Sequence, residues 1–159
     1  MSNLIAIDAG LKSAGWAIFP SGGIIPIDAG LIHPRREYRD EDLITRAIDV
    51  GQQFGILAKT RAIKEGIIEM PVYYGQGDKN AGSIFKLCVC IGAIASALNE
   101  NGVTVETVDV PTWKGQLPKE VVIKRIKKIL PEYAIGQLNL EKDMWDAVGI
   151  GLWKFGYFK

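Results

Sequence analysis

Four acids in this sequence sit where a carboxylate is costly unless it has work to do. Asp8 directly follows the apolar run from Leu4 to Ile7, at the end of a strand expected to be buried. A charge there needs water, an opposite charge or a metal ion. Glu69 repeats the arrangement: it follows Ile67 and Ile68 and precedes Met70 and Pro71, where the strand must stop. Asp143 and Asp146 are three residues apart in the last expected helix, so they share a face, and Trp145, Ala147, Val148 and Ile150 surround them. Each acid also has a plainer reading. Asp8 can open a turn through its own backbone hydrogen bond, and Glu69 can face outward from a half-exposed strand. Asp143 and Asp146, with Glu141 beside them, can complement a helix dipole, and Glu141 can stand in for one of the pair as a ligand.

Together the four offer hard oxygen donors, and the only histidine, His33, cannot anchor a zinc site alone. That donor set selects Mg²⁺, with Mn²⁺ as a substitute, over zinc. The chemistry it suits is phosphodiester hydrolysis with two ions about 3.5–4 Å apart around a shared carboxylate, for which Asp8 is the candidate. One ion lowers the pKa of an attacking water and the other stabilises the leaving 3′-oxygen.

The cations point the same way. Net charge is only +1, yet Lys114 to Lys128 holds six basic residues and one acid, which suits a groove for a nucleic-acid backbone. Lys114 and Lys119, near the preceding loop, are the first candidates. Lys124, Lys127 and Lys128 fit a DNA contact or a solvated helix face. Arg35, Arg36 and Arg39 are largely offset by Glu37, Asp40, Glu41 and Asp42. Tyr73 and Tyr74, in a Gly-rich loop past Glu69, can stack on an opened base or pack that loop onto the sheet.

The elements that must position these groups follow from periodicity. Apolar runs and turns predict strands over 4–7, 16–19 and 24–32, the last broken near Asp28, as an antiparallel meander. Asp40 or Asp42 caps a helix with Leu43, Ala47, Val50, Phe54 and Leu57 on one stripe. A strand over 66–70, a helix over 83–99, a strand over 103–110, a helix over 118–130 and a last helix from about Glu141 complete the order. Gly92, Ala93, Ala95, Ser96 and Ala97 give the middle helix a small-residue surface, suited to pairing across a dimer or to tight packing on its own sheet. Three antiparallel strands followed by alternating elements predict an α/β fold: a five-stranded mixed sheet flanked by helices on both faces, in one domain over 1–159.

The 159 residues are 48% hydrophobic and 23% charged, ordinary for a soluble globular chain. Cys88 and Cys90 read as buried free thiols of a reducing cytosol. The N-terminus shows no basic leader, and the apolar stretch from Ile84 to Leu98 is short of the roughly 20 residues that cross a bilayer. A cytoplasmic protein without a membrane partner is the expectation.

The motifs in register resemble the RuvC-type Holliday junction resolvases, in the bacteriophage branch. Ile5-Ala-Ile-Asp8-Ala-Gly10 with Gly15-Trp-Ala-Ile18 resembles their first motif, Ile67-Ile-Glu69 the second, and Asp143-Met-Trp-Asp146-Ala the last. Lys119-Glu-Val-Val resembles the segment with a functional lysine, and residues 83–93 the helix after the catalytic Glu. Ala9 stands where the family usually has Pro, Pro111-Thr-Trp-Lys-Gly115 replaces a Gly-rich stretch, and Val72 occupies the place of an aromatic wedge. The resemblance implies a ribonuclease-H-like fold and a homodimer making paired nicks in a four-way DNA junction. It implies Asp8, Glu69, Asp143 and Asp146 as metal ligands and Lys119 as a phosphate or transition-state contact. Three other readings compete: a ribonuclease H or flap nuclease using the same acids, an ATP-binding module of the sugar-kinase and actin type, and a non-catalytic junction binder.

Overall fold

The structure, a computed structural model, describes residues 2–158. Its elements in chain order are β1 (Asn3–Asp8), β2 (Ala14–Pro20), β3 (Asp28–Ile32), α1 (Leu43–Thr60), β4 (Ile63–Met70), α2 (Ala81–Glu100), β5 (Thr104–Asp109), α3 (Val110–Trp113), α4 (Lys119–Ile129), α5 (Glu132–Leu138) and α6 (Met144–Lys154), with a 3-10 turn at Arg36–Tyr38. The sheet order is β3-β2-β1-β4-β5. β1 runs antiparallel to β2, and β2 to β3, while β1–β4 and β4–β5 are parallel. The mixed five-stranded sheet that the meander predicts is the one found.

Each strand alternates its side chains between two cores. Ile5 and Ile7 face α1 and α2, joining Phe54, Ile94 and Leu98, whereas Leu4 and Ala6 face α4 and α6, joining Val122, Ile126, Ile150 and Leu152. Helices therefore cover both faces. The same alternation fixes the side on which the acids emerge. Asp8 continues the Leu4–Ala6 series, and Glu69 continues from Ile67, which also packs towards α6. Since Ile7 pairs with Ile68, Asp8 and Glu69 leave neighbouring central strands side by side, on the face that α6 covers.

Two close approaches set α6 in place. A Cβ added at Gly15 would lie 2.3 Å from the Asp143 carbonyl oxygen, and one at Gly151 would lie 2.1 Å from the Phe19 ring. Only glycine lets the start of β2 touch the N-terminal end of α6 and lets Phe19 nest against the helix.

Some boundaries differ from the sequence expectation. β3 begins at Asp28, and residues 21–27 form turns and bends. Asp42, not Asp40, caps α1, accepting from the Thr45 amide at 2.9 Å. α3 and α5 were not expected: one is four residues long and the other seven, too short to show a periodic stripe. α6 starts at Met144, which leaves Asp143 at its N-cap and not within it. Cys90 is buried and its thiol meets the Gly10 carbonyl, but Cys88 is exposed.

α2 also corrects the reading of its apolar stretch. The helix has 20 residues with a mean hydropathy of 1.9, long and apolar enough by length and composition to cross a membrane, and only 22% of that window is buried. Its small residues divide between two tasks. Ala93 and Ala97 lie against α1, where a Cβ at Gly51 would come within 2.7 Å of the Ala93 carbonyl oxygen. Gly92 and Ser96 face outward with Phe85, which is 67% exposed.

Candidate active site

Three of the four sequence-selected acids converge. Asp8, Asp143 and Asp146 each present a carboxylate oxygen, and these oxygens lie within 4.8 Å of one another. Asp8 comes from the end of β1, Asp143 from the N-cap of α6 and Asp146 from its first turn. Glu141 is exposed and lies outside this cluster, so Asp143 holds the position.

Glu69 stands beside the trio without joining it. Its Oε2 accepts a 2.6 Å hydrogen bond from Trp113 Nε1. Trp113 is itself buried, tilted against Phe158, and seated where a Cβ at Gly149 would approach its ring to 2.7 Å. A residue of α3 thus holds the acid of β4 in one orientation, against a glycine of α6. Trp113 was not singled out in the sequence; the motif Pro111-Thr-Trp-Lys-Gly115 was the only signal, and it carried no indication of a partner.

So much negative charge in one place alters every group in it. Burial, followed by the fields of Glu69, Asp146 and Asp143, pushes the Asp8 carboxyl up to about 8, against the smaller opposing pull of Lys119. Burial also raises Glu69, although the Trp113 hydrogen bond and Lys114 resist. Two lysines partly neutralise the cluster. Lys119 Nζ lies 2.8 Å from Asp146 Oδ2 and 3.5 Å from Asp143 Oδ1, and Lys114 Nζ lies 3.4 Å from Asp146 Oδ1 and over the Trp113 ring. Burial alone would lower Lys119, but the Asp146 hydrogen bond and the fields of Asp146, Asp143 and Asp8 outweigh it and hold the ammonium above its usual value.

The residues present fit a divalent cation. Converging oxygens without a sulfur or imidazole suit a hard ion, and a carboxyl pushed up by burial and then by its acidic neighbours marks a site short of positive charge. Asp8, Asp143 and Asp146 would hold such an ion, with Glu69 at its flank.

The remaining sequence-selected residues lie further out. Lys114 and Lys119 belong to the carboxylate site itself. Lys124 and Lys128 are exposed on the outer surface of α4, and Lys127 sits over Trp145. Tyr73 and Tyr74 are 56% and 78% exposed, so neither packs its loop onto the sheet. His33 lies in a loop, as expected beside Pro34.

No family model matches this chain, and no curated protein sequence matches it. Solved structures do. The Thermus thermophilus RuvC structure superposes with a TM-score of 0.67 at 16% identity, over 99% of this chain and 98% of that one. T. thermophilus RuvC in complex with a Holliday junction substrate gives a TM-score of 0.66 at 17% identity, over 100% and 99%. The chain therefore has the fold of RuvC, the ribonuclease-H-like architecture that its four motifs resemble.

Proposed function

We propose that this protein is a structure-selective endodeoxyribonuclease that resolves four-way DNA junctions by Mg²⁺-dependent phosphodiester hydrolysis, acting as a homodimer. The observation that carries the proposal is the convergence of Asp8, Asp143 and Asp146 within 4.8 Å at one edge of the sheet, on a fold shared with a protein solved in complex with a Holliday junction. A bound pair of divalent ions would supply an activated water and stabilise the leaving oxygen.

The chain's own residues do the rest. Asp8, Asp143 and Asp146 fix the cation position from two rigid elements, and Trp113 holds Glu69 ready beside them. Lys119 is a second source of positive charge. Once the acids are neutralised by cations, its ammonium is free to leave Asp146 and meet the scissile phosphate. Lys114 offsets Asp146 from the other side, and Lys124, Lys128, Tyr73 and Tyr74 offer exposed charge and stacking surface for the DNA arms. Paired incisions need two sites, and the outward apolar stripe of α2 through Phe85, Val89 and Gly92 suits a second copy of the chain. Gel filtration with light scattering should give a dimer, and Phe85→Glu should shift it to monomer.

Incubation with a synthetic four-way junction and Mg²⁺ tests the activity, and symmetric nicks in opposing strands are the expected products. Cleavage of linear duplex at an equal rate would refute the junction preference. Cleavage of an RNA–DNA hybrid alone would establish the ribonuclease H reading instead.

A further inference from the structure

Cations that the carboxylate site does not use gather beside it. The turn after β1 and the segment after β3 leave the sheet at the same edge, because Asp8 pairs with Gly15 and Ala14 with Ile32. Between them and the first turn of α1 lies a cavity of about 410 Å³, lined by Leu11, Lys12, His33, Pro34, Arg39 and Arg46. Three of these residues carry a fixed positive charge, and none is acidic.

Neighbouring Arg35 shows what a satisfied cation looks like in this region. Its Nε donates to Asp49 Oδ1 and its backbone amide to Asp49 Oδ2 at 2.7 Å. Among the described residues, Lys12, Arg39 and Arg46 make no salt bridge. Arg46 Nε is buried without a hydrogen-bond partner, and a buried charged donor left unmet is costly. Asp42 feels the Arg46 charge but makes no ion pair with it, and its oxygens accept from the Thr45 amide and hydroxyl at 2.9 and 3.2 Å. His33 ties two walls together: its Nδ1–H donates to the Lys12 carbonyl at 3.0 Å, which leaves Nε2 as its unengaged ring nitrogen.

We propose that this cavity binds a phosphate group, supplied by the DNA strand that runs past the carboxylates. Guanidinium groups match phosphate oxygens in paired hydrogen bonds, and a phosphate oxygen would meet the Arg46 Nε donor. The cavity is larger than one phosphate, and Leu11 and Pro34 give the attached sugar an apolar wall. β3 lies two strand spacings, about 10 Å, from β1, and the cavity opens at the strand ends between them on the side that α1 covers, whereas Asp8 emerges on the side of α6. It lies on the opposite side of Asp8 from Lys114, which follows β5. A strand crossing the acids would thus be held on both sides of the bond to be cut. The DNA source rests on the function proposed above; the phosphate chemistry does not.

The test has two arms. In the first, a labelled four-way junction is titrated between about 50 and 200 mM salt, in an Asp146→Asn background that leaves it uncut. Loss of one phosphate contact lowers the slope of log affinity against log salt by about 0.9, or about 3-fold in affinity across that range. Arg46→Gln and Arg39→Gln should each show this change, and the exposed Arg39 guards against misfolding of the Arg46 variant, which circular dichroism checks. In the second arm, inorganic phosphate and thymidine monophosphate are added while the Arg46 Nε–H resonance is followed. A changed slope supports the site with DNA as its source. A resonance shift at millimolar phosphate with an unchanged slope supports the site with free phosphate as its source. An unchanged slope and an unmoved resonance overturn the proposal. If the parent protein binds no junction at all, the nuclease reading fails first, and the phosphate arm still decides this one.

Discussion

The two faces of the sheet are built to different standards. On one, α1 and α2 close over Ile5, Ile7 and Ile68 with an almost wholly apolar core, and the tight crossing at Gly51 and Ala93 serves packing alone. On the other, α6 brings Asp143 and Asp146 to Asp8 while its glycines admit Phe19 and Trp113. This second face accepts mutual carboxylate repulsion, two lysines drawn onto the acids and a carboxyl pushed up to about 8. Crowded carboxylates, which destabilise the free protein, are gathered on the α6 face where cations would relieve them, and the unmet Arg46 donor lies at the same strand ends but on the α1 side.

Asp146→Asn should have the largest effect on the α6 face. Loss of groups that merely orient a metal ligand costs about 10–100-fold in activity or affinity, so loss of the ligand itself should exceed about 100-fold in junction cleavage. Junction binding should persist, as a gel-shift assay would show. Next is Trp113→Phe, which removes the side-chain hydrogen bond to Glu69 while keeping an aromatic ring against Gly149. It should lower kcat by about 10–100-fold with little change in KM, a split that a purely structural role would not give.

On the opposite face the same size of change should be felt as stability alone. Gly51→Ala drives a methyl against the Ala93 carbonyl and should cost about 1–3 kcal/mol in denaturant unfolding. The rate per folded molecule should not move.

The smallest effect is in pH. Asp8 holds its proton more tightly folded than unfolded, so the native state binds more protons between the ordinary carboxylate range and pH 8. Metal-free stability contributed by this group is therefore full below about pH 4 and declines as pH rises towards 8. Thermal melts should show the decline, Mg²⁺ should reverse it near pH 8, and Asp8→Asn should flatten it.

The parts of this arrangement differ in how plainly the sequence carried them. β1 and β4 were legible because apolar runs ending in a single acid are local patterns, and the alternation along each strand then places both acids on one face. Asp143 and Asp146 were legible as a pair, although the N-cap geometry of Asp143 depends on the close approach at Gly15, a contact between distant segments. Trp113 and Glu69 are 44 residues apart, and no local periodicity links them. Lys114 was expected on the DNA surface because its charge was legible and its partner Asp146, 32 residues away, was not. The cavity at Arg46 escaped for a related reason. Counting Arg35, Arg36 and Arg39 against nearby acids suggested cancellation, whereas the fold gives Arg35 to Asp49 and turns Arg39, Arg46 and Lys12 into one space.

The three converging carboxylates would form a divalent-metal site for phosphodiester hydrolysis. Crystals soaked in Mn²⁺ and measured at its absorption edge test it most directly. Anomalous density is expected among Asp8, Asp143 and Asp146, with Lys119 displaced from Asp146. Carboxylates still held by Lys119, with no anomalous density between them at millimolar Mn²⁺, would contradict it.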